Sequence, residues 1–422
     1  MWRNVTVNLS DLLFSVSEVM DLCDASLVDH QIRTAYLASE LARAAGLDYA
    51  LTERIFVAAL LHDIGALSPE EKIGAHIFED VRPEQHCLCG GKLFRGAFWL
   101  QPSARIVDWH HTPMKAHQAA GRSLADPDVL GAQIVYLADH LERAIQRGAF
   151  ILHQSGALRA QIHALAGKGL HPDVVRLFDQ VSSAEDFWLE LVAKDLSQQL
   201  RQRNILRSLY LDYEAARSIA SVFKDMTDFR SRFTATHSAG VAACARAIGE
   251  LLGFTGKDLQ QIDLAGLMHD IGKLVVPNAI LDKPAHLTPE EYAIVRQHPY
   301  YTYRILSGVR GFEQIAQWAA FHHERLDGSG YCKQLNLDDL DLGCKAVAVA
   351  DVATAIVEPR PYRASGGKAD VLQALRRMAD GSLLEPLIVE ALADNYDSIM
   401  ECVTSTQAAD QARYLERFGT IA

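Results

Sequence analysis

The 422-residue chain carries one order of histidines and aspartates twice, nearly in register, and this limits it to folds that contain two copies of one unit. The carboxy-terminal half reads His237, His269-Asp270, His298, His322-His323 and Asp351. The amino-terminal half reads His30, His62-Asp63, His86, His110-His111 and Asp139. In each half the first His precedes the His-Asp pair by 32 residues, the single His precedes the His-His pair by 24, and the second His of that pair precedes the last Asp by 28. Only the gap between the His-Asp pair and the single His differs, 29 against 24. Packing repeats apolar residues and has no reason to keep imidazoles and carboxylates in register. These groups are ligands of divalent transition metals, so the pattern reads as a duplicated metal site and points to hydrolytic chemistry.

Helical periodicity surrounds these residues. The stretches 37–47, 51–65, 133–145 and 240–254 carry apolar residues at i, i+3, i+4 and i+7, while sustained alternation is scarce. The expected fold is all-α. Gly46 and Gly253 follow periodic runs and mark helix stops. Thr288 before Pro289-Glu290-Glu291 reads as a helix start, and Ser68 in LSPEEK (67–72) repeats that form. The expected organisation is a divergent amino-terminal domain over 1–185, long connecting helices over 186–229 and a carboxy-terminal catalytic domain over 230–422.

Composition narrows the function classes. A net charge of −12 argues against a diffuse binder of polymeric nucleic acid or of a membrane surface. The opening MWRNVTVNLSDLLFSV lacks a long apolar segment, and no apolar run approaches the roughly 20 residues of a spanning helix. Seven cysteines, an odd number, suit free thiols in a reducing cytoplasm better than a disulfide framework.

In the carboxy-terminal half, His269 and Asp270 close an apolar run. Neighbours on a helix point about 100° apart, so this pair serves one centre only from a helix end or with Asp270 as a bridge. The motifs HDIGK (269–273), HHERLDGSGY (322–331) and DVATAIVEPRPYR (351–363), with VPNAILDKPAHLTPEEY (276–292) between them, resemble the HD-GYP phosphodiesterases, a branch of the HD metal-hydrolase superfamily. The resemblance covers about residues 230–400. It implies an all-α fold of two tandem HD-type domains, a pair of divalent ions, iron or manganese, and hydrolysis of a bacterial cyclic dinucleotide, cyclic di-GMP or 3′,3′-cyclic GMP-AMP.

Carried over by position, the resemblance assigns His237, His269, Asp270 and Asp351 to one metal. His298, His322 and His323 go to the second, with Asp270 bridging. Lys273 would lie beside the scissile phosphate, stabilising charge and helping to protonate the leaving 3′-oxygen. Arg360 and Arg363 align with phosphate-gripping positions, a role suited to the planar guanidinium fork. Gly328, Gly330 and Tyr331 form the signature loop. Three positions depart from the family: Phe233 stands where three-metal members carry a ligating Glu, which favours two ions. Cys332 replaces the proline after Gly-Tyr, and Thr302 replaces a glycine after His-Pro, a change expected to alter the pocket.

The amino-terminal half keeps the candidate ligands His30, His62, Asp63, His86, His110, His111 and Asp139 as a second metal site but loses the accessory residues. Ala66 stands where the other copy has Lys273, HHTPMKA (110–116) replaces the signature loop, and Arg143 and Arg147 are the nearby basic candidates. Cys87 and Cys89 follow His86 as soft candidate ligands, although a C-x-C without a second pair does not make a separate zinc site. Regulation or dimer support, an accessory nucleotidase acting on the linear product, and a structural relic are the three readings of this half. For the whole chain the leading expectation is a cytoplasmic metal-dependent phosphodiesterase. The alternatives are a nucleotide-binding signalling receptor, betrayed by binding without turnover, and a nucleotide phosphomonoesterase.

Overall fold

A computed structural model describes residues 6–23, 27–66, 83–206, 209–228, 236–358 and 365–418. Nearly all of their regular structure is helical. The named strands are Val7–Asn8 and Tyr210–Leu211, one short antiparallel pair. The chain divides into two compact units, Leu9–Leu209 and a second made of Met1–Asn8 with Tyr210–Ala422.

In the first unit, helices His30–Ala44, Tyr49–Leu60, Ala104–Trp109 and Pro127–Arg143 surround a core that includes Leu37, Phe56, Ile106 and Leu137. Phe14, from helix Leu9–Met20, meets Phe56 with ring centroids 5.9 Å apart. Burial of such aliphatic and aromatic side chains stabilises the fold by roughly 1.5–3 kcal/mol each. The helix expected over 51–65 stops at Leu60, and His62–Gly65 form a 3-10 turn.

The second unit repeats the scheme with helices His237–Leu251, Lys257–Met268, His298–Ser307, Glu313–Ala320 and Leu342–Val357. A Cβ on Gly266 would lie 2.5 Å from Ala242 Cα, so glycine there lets the first two helices approach closely. That approach brings the start of one helix, His237, to the end of the other, His269. Gly46 and Gly253 adopt φ of 63° and 83°, as their helix-stop reading requires. Thr288 and Glu291 complete a reciprocal capping box at helix Pro289–Val295; the parallel Ser68 lies outside the described residues.

The segment 186–229, expected as long connecting helices, instead divides between the units. Glu185–Leu191 and Leu196–Gln202 are seven residues each and belong to the first unit. Their buried Phe187, Trp188 and Leu191 hold them there, and Tyr36 Oη donates to Phe187 O at 3.1 Å. Tyr213–Asp228 belongs to the second unit, tied by Tyr213 Oη and Arg217 Nε to Asp263 at 2.8 and 2.7 Å. Apolar anchors at helical spacing fold these stretches back, a tertiary effect that helix propensity does not report.

Candidate metal centres

In the second unit every proposed ligand sits at a helix end except Asp351, which lies inside Leu342–Val357. His237 and His298 begin their helices, His269 follows Met268, and His322-His323 follow helix Glu313–Ala320. The helix therefore ends where two consecutive side chains must reach one place. Asp270 turns its two oxygens to different sides: Oδ2 lies 3.3 Å from His269 Nε2 and Oδ1 lies 3.4 Å from His298 Nε2. His237 Nε2 is 3.2 Å from Asp351 Oδ1. The groupings His237–His269–Asp351, His269–Asp270–His322 and His298–His322–His323 each bring one ligand atom per residue within 4.8 Å of the others.

The far side of four rings is tied down. His269, His298 and His322 each place Nδ1 against the carbonyl three residues back, of Gly266, Val295 and Ala319, at 2.9, 2.7 and 2.6 Å. His237 Nδ1 meets Glu358 Oε2 at 2.8 Å. An Nδ1–H donated outward leaves the Nε2 lone pair facing the centre, the arrangement of a metal-ligating imidazole. His269 Nε2 and Asp270 Oδ1 are buried without a hydrogen-bond partner among the described residues. Burying such atoms unpaired is costly, and a divalent cation between them would satisfy both. Burial lowers His298 to about 4 and His322 to about 3, so both are neutral at physiological pH. Burial favours a neutral Asp270, yet His269 and Lys273 outweigh it and hold that carboxyl well below the usual range. Neutral His298 and His322 beside an ionised Asp270 suit metal binding.

Lys273 Nζ lies 2.5 Å from Asp270 Oδ2, and its side chain keeps 21% of its surface exposed, so the cation borders both the carboxylate and the open face of the site. Tyr331 stacks on His323, centroids 4.8 Å apart and planes at 29°, and the Arg296 guanidinium lies 4.7 Å from the Tyr331 ring centre. Gly328 has a φ of 76°, and a Cβ on Gly330 would lie 2.4 Å from Glu324 Cα. Glu324, buried, accepts from the backbone N–H of Lys333 and Leu335 at 2.7 and 3.0 Å, which fixes the chain just after Cys332. Thr302, expected to alter the pocket, is buried and bridges two segments. Its Oγ1 donates to His269 O at 2.9 Å and accepts from Gly272 N at 3.0 Å, joining two ligand-bearing segments. Arg360, Arg363 and Phe233 lie outside the described residues.

The first unit builds the same centre. His30 Nε2 is 3.3 Å from His62 Nε2, 3.4 Å from Asp63 Oδ2 and 3.5 Å from Asp139 Oδ1. His86 and His110 face each other at 3.3 Å. His62 and His110 place Nδ1 against the carbonyls of Ala59 and Val107 at 2.9 and 2.7 Å, and His30 Nδ1 meets Glu142 Oε2 at 2.5 Å. His111 lies 4.3 Å from His110 between ring centres. Arg143 pairs with Asp139 at 3.3 Å, and Arg147 and Arg33 approach Glu142 at 2.8 and 3.7 Å. Glu142, Glu358, Glu324 and Arg33 were not singled out from the sequence. The two Glu residues follow their Asp by different offsets, three (142 − 139) and seven (358 − 351), so the repeat does not reveal them.

Comparison with known proteins agrees with this duplicated architecture. Residues 221–386 and, separately, 27–144 each match an HD domain family. The chain is 28% identical over 402 residues to 3′3′-cGAMP-specific phosphodiesterase 1 of Vibrio cholerae, with 92% of each chain covered. It is 26% identical over 322 residues to the cyclic di-GMP phosphodiesterase response regulator RpfG of Xanthomonas campestris, covering 75% of this chain and 82% of the other. The solved structure of a cyclic GMP-AMP specific phosphodiesterase of V. cholerae, V-cGAP3, superposes with a TM-score of 0.62 at 23% identity, covering 93% of this chain and 98% of that one, which is likeness of fold.

Proposed function

We propose that this member of the HD-domain family, with two such domains in tandem, hydrolyses a 3′–5′ phosphodiester of a bacterial cyclic dinucleotide at the centre of its carboxy-terminal unit. The observation that carries the proposal is Asp270 with Lys273. One carboxylate faces two histidine groups with its two oxygens, and a partly exposed ammonium lies against it.

His237, His269, Asp270 and Asp351 would hold one divalent ion, and His298, His322 and His323 a second, with Asp270 shared; iron and manganese suit these ligands. Bound, the pair would supply an acidified water and positive charge for a phosphoryl group. The chain's own residues do the rest. Lys273 adds charge where the phosphate would sit and is placed to hand a proton to the leaving 3′-oxygen. Tyr331 holds the plane of His323 from outside, and Arg360 and Arg363 would take phosphate oxygens. In the amino-terminal unit Ala66 replaces the lysine and no signature loop follows the His-His pair; its role in this reading is regulation or dimer support.

Purified, metal-loaded protein is incubated separately with 3′,3′-cyclic GMP-AMP and cyclic di-GMP, and products are followed by HPLC. The first comes first because the relative that aligns over 92% of both chains is specific for it. Linear dinucleotide from either substrate supports the proposal. Tight binding with no turnover of either, metals present, replaces it with a nucleotide receptor.

No helix among the described residues is long and apolar enough to cross a membrane; the proposed reaction is a cytoplasmic one, and a homodimer is part of this reading.

A further inference from the structure

Besides the missing lysine and signature loop, the amino-terminal centre differs by a cysteine among its candidate ligands. Cys87 follows His86 on helix Pro83–Phe94, at the place where Pro299 follows His298 in the other copy. Its Sγ lies 3.7 Å from His86 Nε2 and 3.8 Å from His110 Nε2. His86, Cys87, His110 and His111 form one grouping whose ligand atoms all fall within 4.8 Å of one another.

We propose that this half of the amino-terminal centre is a three-histidine, one-cysteine site for a thiophilic divalent ion, zinc by preference. The distances fit that coordination. An ion about 2.0 Å from nitrogen and about 2.3 Å from sulfur, with tetrahedral angles, sets its ligand atoms roughly 3.3 Å (N to N) and roughly 3.5 Å (N to S) apart. The observed separations are 3.3 Å for His86–His110 and 3.7 and 3.8 Å for the two sulfur contacts. Cys89, on the same helix, is not in the grouping, so the C-x-C supplies one ligand rather than two.

A second observation shows why a thiolate is wanted here. Asp63 is drawn to the other half of its centre: its Oδ2 accepts from the Gln31 amide at 3.1 Å and lies 3.4 and 3.3 Å from His30 and His62. Its Oδ1 stands 3.8 Å from His86, against 3.4 Å between Asp270 and His298. Cys87 supplies the anionic ligand that the carboxylate supplies less closely here. Soft sulfur selects zinc over manganese. Four protein ligands also close the coordination sphere, as in structural rather than hydrolytic zinc sites. This half of the amino-terminal centre is therefore built to hold the domain, and it tells against a nucleotidase there. The inference does not depend on the phosphodiesterase reading of the other unit.

Metal-stripped full-length protein is titrated with cobalt(II), and the near-ultraviolet thiolate-to-cobalt charge-transfer band is followed. Wild type and Cys89→Ser show the band; Cys87→Ser lacks it, and after zinc loading and desalting against a weak chelator retains about one ion fewer per chain. Bound cobalt without the band, a band that survives Cys87→Ser, or no cobalt uptake overturns the proposal. If circular dichroism shows Cys87→Ser to be unfolded, zinc-edge X-ray absorption of the wild type decides: a sulfur neighbour at about 2.3 Å supports the site, and nitrogen and oxygen alone overturn it.

Discussion

Lys273 Nζ rests 2.5 Å from Asp270 Oδ2, while the other oxygen of that carboxylate faces His298 at 3.4 Å. The ammonium is thus attached to the centre without being one of its ligands. Replacing it with methionine removes the charge and keeps most of the stem. We expect kcat for cyclic dinucleotide cleavage to fall about 10²–10³-fold with metal content, measured by plasma mass spectrometry, unchanged. A parallel loss of metal would make Lys273 a structural neighbour of the ligands.

Glu358 acts through His237. Its Oε2 meets Nδ1 at 2.8 Å, and its Oε1 accepts from Gln407 Nε2 at 2.6 Å, which fixes the carboxylate in place. Glu358→Ala is expected to weaken metal affinity by about 10–100-fold, read by competition with a chelating dye, and Glu358→Gln to restore part of it. Unchanged affinity in the alanine variant would show that His237 needs no such orientation.

The signature loop is closed by contact. A Cβ on Gly330 would lie 2.4 Å from Glu324 Cα and 2.5 Å from Arg325 N, backbone that has no room to give. Gly330→Ala should destabilise the protein by about 1–3 kcal/mol in urea unfolding. Turnover should fall as well, because the displaced loop carries the Tyr331 ring off His323. Wild-type stability would mean that the loop is looser than this packing.

The clustering of these histidines and aspartates was legible because the chain states their type and spacing twice. The all-α class followed from period-3.6 runs. What escaped the sequence depends on approach in space. Glu142 and Glu358 do one job at unequal offsets from their aspartates, and Glu324 looks like any acidic residue until its two backbone contacts are seen. Thr302 departs from the family pattern and reads as a pocket change, yet its hydroxyl joins His269 O to Gly272 N. The expected linker failed to stand apart because Phe187 and Trp188 bury themselves in the first unit.

Asp228 gives a pH signature. It ends helix Tyr213–Asp228 and accepts from Ser238 Oγ at 2.8 Å, anchoring the helix that starts at His237. Burial, opposed by Lys224 and His237, pushes its carboxyl up to about 6. The unfolded value is about 3.9, so the native state keeps this proton longer. Its contribution to stability is therefore fully present below about pH 4 and is lost as the pH rises through about 6. In metal-free protein the unfolding free energy of wild type, minus that of Asp228→Asn, should fall by about 3 kcal/mol across this window. A difference independent of pH would place the titration elsewhere.

In the proposed function, one of two similar centres does the chemistry. Asp63→Ala and Asp270→Ala, made separately in the full chain, are assayed for ring opening of 3′,3′-cyclic GMP-AMP and cyclic di-GMP. Asp270→Ala should abolish opening of whichever substrate the wild type cleaves, and Asp63→Ala should still cleave that substrate. Loss of ring opening in Asp63→Ala with retention in Asp270→Ala would overturn the proposed function and move the active centre to the amino-terminal unit.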